Sequence, residues 1–167
     1  VLAWGLHGLG RTLWHIGTFQ EAEAHLKRAI ELYQAVPDYP AIAEATSDLA
    51  HCWLRHGRVA EAQAVLEECN RTISARGLRG VVCTRPRLAL AEAHLAALEA
   101  RIGPSRRLVF RRARRACRAA LHQAKTDRQC LPAACRLSGV YWRLRGKEAR
   151  AERWCARAVT AANEMGA

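Results

Sequence analysis

The chain has no run approaching about eighteen apolar residues, which excludes a membrane-spanning helix. No charged n-region leads into an apolar stretch at the start, so no secretory signal is expected. The chain opens at Val1 rather than Met and stops at "EMGA", just after a helix-like segment, which suggests a fragment of a larger multidomain protein. No glycine-rich phosphate loop, nucleophile elbow or convergent carboxylate pair occurs, so neither an enzyme nor a cofactor is expected. There is no disulfide framework either. The seven cysteines are odd in number and scattered, which suits reduced, buried thiols in a cytoplasmic protein. Metal-ligand spacing is also missing. Cys130 and Cys135 lie five apart, Cys117 and His122 likewise, and "HCWLRH" puts His51 and His56 on different helix faces.

Acidic residues are scarce in one part only. Residues 1–100 hold ten Lys/Arg and eleven Asp/Glu, whereas residues 101–167 hold seventeen and four. The net charge of +12 is therefore local. Its densest stretch, "RRLVFRRARRACRAAL" (106–121), contains seven arginines and no acid.

With only five prolines to interrupt it, the abundant alanine, leucine, arginine and glutamate favour helix. The order is repetitive. "LGRTLWHIGTFQEAEAHLKRAIEL" (9–32) aligns with "LAHCWLRHGRVAEAQAVLEEC" (49–69) at a period of 40, matching Gly10 to Ala50, Gly17 to Gly57, Ala22 to Ala62 and Leu26 to Leu66. A further copy, "SGVYWRLRGKEARAERWCARA" (138–158), places Gly139, Gly146, Ala151 and Cys155 at the same relative positions. In each unit a glycine ends a first amphipathic helix and a second follows. The small residues let the two helices approach closely, and large neighbours such as Leu13 and Leu26 fill the space beside them. Such a pair cannot bury both faces alone and must stack on its neighbours. The third unit is degenerate: "RPRLALAEAHLAALEARIG" (85–103), closed by Gly103-Pro104, precedes a helix capped by Ser105. There the step from glycine to the first second-helix alanine is ten residues (Gly103 to Ala113), so that helix should begin a turn early.

This pattern resembles the tetratricopeptide repeat, although each copy lacks the family's closing proline and is longer than usual. In its longer spacing it is similar to the C-terminal helical arrays of bacterial multidomain regulators, namely maltose-activator-like LuxR regulators and ATPase-linked cyclases or serine/threonine kinases. The resemblance implies an all-α, right-handed α-solenoid of about four antiparallel helix pairs in one domain, with repeats at 3–36, 41–76, 86–124 and 130–164. The expected helices are 3–16, 20–35, 41–56, 59–75, 86–102, 106–124, 130–145 and 148–164. The connection 76–85 is expected to be the longest loop and the flexible point.

The resemblance also implies a peptide-binding groove along the first helices, at Trp4, His7, Arg11, His15, Ser47, His51, Arg55, Ala97, Arg101, Arg136, Val140 and Arg143. Such a groove would be cationic and would suit an acidic segment or surface of a protein partner, or the parent protein's own domains. The second helices would face outward and give a basic face at Arg107, Arg111, Arg114, Arg115 and Arg118. Solvation is the first reading of that face, and non-specific nucleic-acid contact ranks below protein contact because the stretch has no recognition-helix signature and no zinc-finger spacing. The expected function is a non-catalytic interaction scaffold, with an effector-sensing module as the alternative. Glu148 and Glu152 are expected to pair with neighbouring arginines.

Overall fold

The computed structural model describes residues 1–103 and 105–166. Its helices are α1 (Leu2–Ile16), α2 (Phe19–Ala35), α3 (Tyr39–Arg55), α4 (Val59–Ala75), α5 (Thr84–Glu99), α6 (Arg106–Gln123), α7 (Leu131–Leu144) and α8 (Glu148–Asn163). Single 3-10 turns precede α5 and α7, at Val81–Cys83 and Arg128–Cys130. No strand occurs among the described residues. Each odd-numbered helix packs on the even-numbered helix that follows it, and the pairs stack on one another, giving an α-solenoid of helix pairs.

The repeat spacing explains the pairing. Gly17, Gly57 and Gly146 end α1, α3 and α7 in the left-handed region, at φ 92°, 73° and 66°. The small residues permit close approach between partners. A methyl group added to Gly10 would lie 2.7 Å from Leu26 Cγ, and one added to Gly139 would lie 2.8 Å from Cys155 Sγ. Large side chains close the space beside these contacts: Leu26 and Leu66 are both 0 % exposed. Leu26, Leu49, Trp53, Leu66 and Ala89 form one cluster joining α2, α3, α4 and α5.

The third repeat departs from the expected boundaries. Its first helix ends at Glu99, not at residue 102. Ile102 N–H donates to Ala97 O (2.9 Å) and Arg101 N–H to Leu98 O (3.4 Å), with Arg101 left-handed at φ 57°. This is the Schellman stop that glycine makes in the other repeats. The sequence reading placed the stop at Gly103-Pro104; Gly103 follows at φ 126°, and Pro104 lies outside the described residues. Ser105 caps α6 by accepting from Leu108 N–H, and α6 starts about one turn further ahead of its first stacking alanine than its counterparts do.

The connection after α4 is held at two points. Gln123 Nε2–H donates to Gly80 O (2.7 Å), and Cys83 is fully buried. Most of the cysteines lie inside the stack: Cys52, Cys83, Cys117 and Cys135 are buried, and burial pushes the Cys117 thiol up to about 12. Cys155 departs from the expectation and is exposed on α8.

Candidate functional site

The first helices of the four repeats also touch in series, α1 with α3, α3 with α5 and α5 with α7. Helical periodicity then sets one stripe from each helix along a shared surface. A groove of about 550 Å³ runs across it, with Trp14 from α1, His51, Leu54 and Arg55 from α3, Glu92 and Glu99 from α5, and Arg136, Val140 and Arg143 from α7 among its walls.

At the α1 end this surface is held by a buried carboxylate that the sequence reading did not single out. Asp48 is 0 % exposed and stands on α3 between α1 and α5. It accepts from Arg11 Nε (2.7 Å) and from an Arg85 terminal nitrogen (2.9 Å). His7 Nε2 faces the same carboxylate at 3.0 Å. The tautomer that fits carries its proton on Nε2 and leaves Nδ1 facing the Tyr33 hydroxyl at 3.5 Å. Burial pushes the Asp48 carboxyl up, but the His7 hydrogen bond, the Arg85 charge and the Arg11 hydrogen bond and charge outweigh it. The carboxyl therefore lies below its ordinary value. One carboxylate thus ties three repeats together.

This network corrects part of the expected groove. His7 is buried against Asp48 and presents no surface. Arg11 is engaged by Asp48 and by Glu44 (3.2 Å). Ser47 is fully buried and donates to Ala43 O (2.7 Å). Ala97 is buried, and Arg101 belongs to the helix stop. Trp4 lies edge-on to Tyr33 outside the groove, and His15 stacks on Trp14 with ring centroids 4.1 Å apart. The groove does contain His51, Arg55, Arg136, Val140 and Arg143. Ala97 and His15 each fall one residue beyond a residue that lines the groove (Ala96, Trp14), and one residue turns a side chain about 100° around a helix.

The groove is also less cationic than its basic residues alone suggest. His51 Nε2 lies 3.3 Å from Glu92, Arg136 lies 3.8 Å from Glu92, and Arg143 lies 3.7 Å from Glu99. The His51 hydrogen bond leads in holding the Glu92 carboxyl below its ordinary value, against the opposing effect of burial, and the Arg136 and Arg55 charges add to it. Among the described residues Arg55 makes no ion pair, so it is the spare cation in the middle of the groove. Trp14 Nε1 and His51 Nδ1 lie beneath this surface without a hydrogen-bond partner.

The basic face is where the sequence pattern puts it. Arg107, Arg111, Arg114, Arg115 and Arg118 are exposed on α6, while Val109, Ala113, Ala116, Cys117 and Ala120 are buried. None of these five arginines makes an ion pair among the described residues, and Arg112 alone reaches a carboxylate, Glu67 at 3.9 Å. Glu148 and Glu152 form no ion pair among the described residues, contrary to expectation. No group of three or more His, Cys, Asp or Glu is placed to hold a metal ion among the described residues, and no described helix is long and apolar enough to cross a membrane.

Compared with known families, residues 1–71 match the model of the tetratricopeptide repeat. No curated protein matches the chain.

Proposed function

We propose that the chain is a scaffold that receives a protein segment in the groove along its first helices, because residues 1–71 match the tetratricopeptide repeat, a fold that generally mediates protein–protein interaction, and the same pairing of helices continues through α8. The observation that carries this reading is Arg55, the unpaired cation at the centre of a groove whose other arginines already have carboxylates. A partner carboxylate at Arg55 gains a charge-assisted hydrogen bond without breaking an existing pair. Leu54, Leu95, Leu137 and Val140 lie between the charges, so apolar side chains beside that carboxylate also find contacts. The segment that fits is amphipathic with a few acidic residues, rather than a polyacidic run.

A peptide-display selection tests this reading. Enriched peptides are expected to combine carboxylates with apolar residues and to bind about tenfold more weakly to Arg55→Glu/Arg143→Glu, as the loss of one or two charge-assisted contacts implies. The charge-matched variant Arg28→Glu/Arg71→Glu, altered on the exposed faces of α2 and α4, should bind as the parent does. Enriched peptides that bind both variants equally would place recognition elsewhere.

A further inference from the structure

A second surface shares no residue with the groove. At the α7–α8 turn lies a hollow of about 720 Å³, into which Arg114 of α6, Arg145 and Lys147 of the turn, and Arg150 and Arg153 of α8 all project. It runs into a neighbouring hollow of about 440 Å³ that shares Trp142, Arg150 and Arg153 and adds Trp154 and Arg157. Six cations thus face one carboxylate, Glu148, and all six are exposed and without an ion pair among the described residues.

Folding adds two tryptophans to Phe110, the one aromatic within the arginine-rich stretch. Arg150 lies over the Trp142 ring at 4.7 Å and Arg157 over Trp154 at 5.3 Å, with both tryptophans half-buried. On the α6 side, Arg145 lies over Phe110 at 5.3 Å. Stacking holds the guanidinium planes in place and leaves their N–H edges to meet anions.

We propose that this hollow binds single-stranded nucleic acid, RNA or DNA. The arginine forks take backbone phosphates, and an unpaired base stacks on the outer face of the Arg150 guanidinium, which Trp142 backs. The six basic groups alone would suit an acidic protein surface equally well. The two tryptophans and the concave shape favour a flat π-system that an acidic peptide does not carry. A duplex keeps its bases stacked inside and offers the tryptophans nothing. Arg107, Arg111 and Arg118 continue from Arg114 along α6 over about 16 Å, at 1.5 Å per residue, so a longer strand has a track to follow.

Fluorescence anisotropy with labelled oligouridylate and oligothymidylate, the matching duplex, and polyglutamate of similar charge separates the possibilities. The single strands are expected to bind best, with log affinity falling against log salt by about 0.7 for each phosphate neutralised. Arg150→Glu/Arg153→Glu should weaken them at least about tenfold while circular dichroism stays unchanged. Arg28→Glu/Arg71→Glu, the same change in total charge placed away from the hollow, should cost less than about threefold. Duplex or polyglutamate binding as tight as that of the single strands would overturn the proposal, as would equal losses in the two variants or no binding at low salt.

Discussion

Replacing Asp48 with alanine is expected to lower the unfolding free energy by about 3 kcal/mol, because removing one member of a buried ion-paired network leaves the others uncompensated. The side chain is 0 % exposed and serves His7 from α1, Arg11 from α1 and Arg85 from α5. Its loss leaves two guanidinium groups and an imidazole around a hole, and unties α3 from both neighbours at once. The value lies at the low end for buried networks because Arg11 and Arg85 are about a third exposed and water can reach them. Urea unfolding followed by circular dichroism measures the change. The same site sets an acid dependence. The folded carboxyl lies below its unfolded value, so its contribution is complete above the unfolded aspartate pKa of about 3.9 and is lost as pH falls through the folded value. Asp48→Asn keeps the shape, should cost less than the alanine variant, and should flatten the dependence of stability on pH in that acid range.

Leu26→Ala is expected to cost about 3 kcal/mol by cavity formation, since a fully buried leucine is removed from a packed cluster. Leu26 lies where α2 meets both α1 and α3, so its cavity weakens the first pair and its joint to the second. Coupling to Gly10 gives the prediction a second readout. Gly10→Ala alone places a methyl group 2.7 Å from Leu26 Cγ and should destabilise, whereas in the Leu26→Ala background the same methyl enters vacated space. The double-mutant cycle should therefore show a favourable interaction energy of about 1 kcal/mol. Additive costs would mean that the Gly10–Leu26 contact is not what sets the spacing of α1 and α2.

The architecture was legible because each repeat writes its packing locally. Gly17, Gly57 and Gly146 stop helices, while Gly10 and Ala22 permit close approach, and these signals need only a window of one repeat. The groove was harder to read, because which residue faces it depends on helix phase. His51, Arg55 and Arg136 line it where the copies align well, and Arg143 lines it one step off register. Ala97 lies one residue past the lining Ala96, Ser47 is buried in the stack, and Arg101, rather than Gly103, makes the left-handed stop in the worn third repeat. Asp48 and Glu92 carried no local signal. Their roles arise from side chains 37 to 44 residues away, on neighbouring first helices. The aromatic setting of the basic surface was only partly local: Arg157 follows Trp154 by three residues on α8, whereas Arg150 reaches Trp142 across the α7–α8 turn and Arg145 reaches Phe110 of α6 through the fold.

In the proposed mode of binding, partner segments lie along the first helices. The most direct measurement is photo-crosslinking of a selected acidic, apolar peptide to protein carrying benzoylphenylalanine at position 140, in the groove, or at position 111, on the outer basic face. Crosslinks are expected from position 140, weakened when Arg55 is changed to glutamate, and none from position 111. Crosslinks from position 111 with none from position 140 would contradict it.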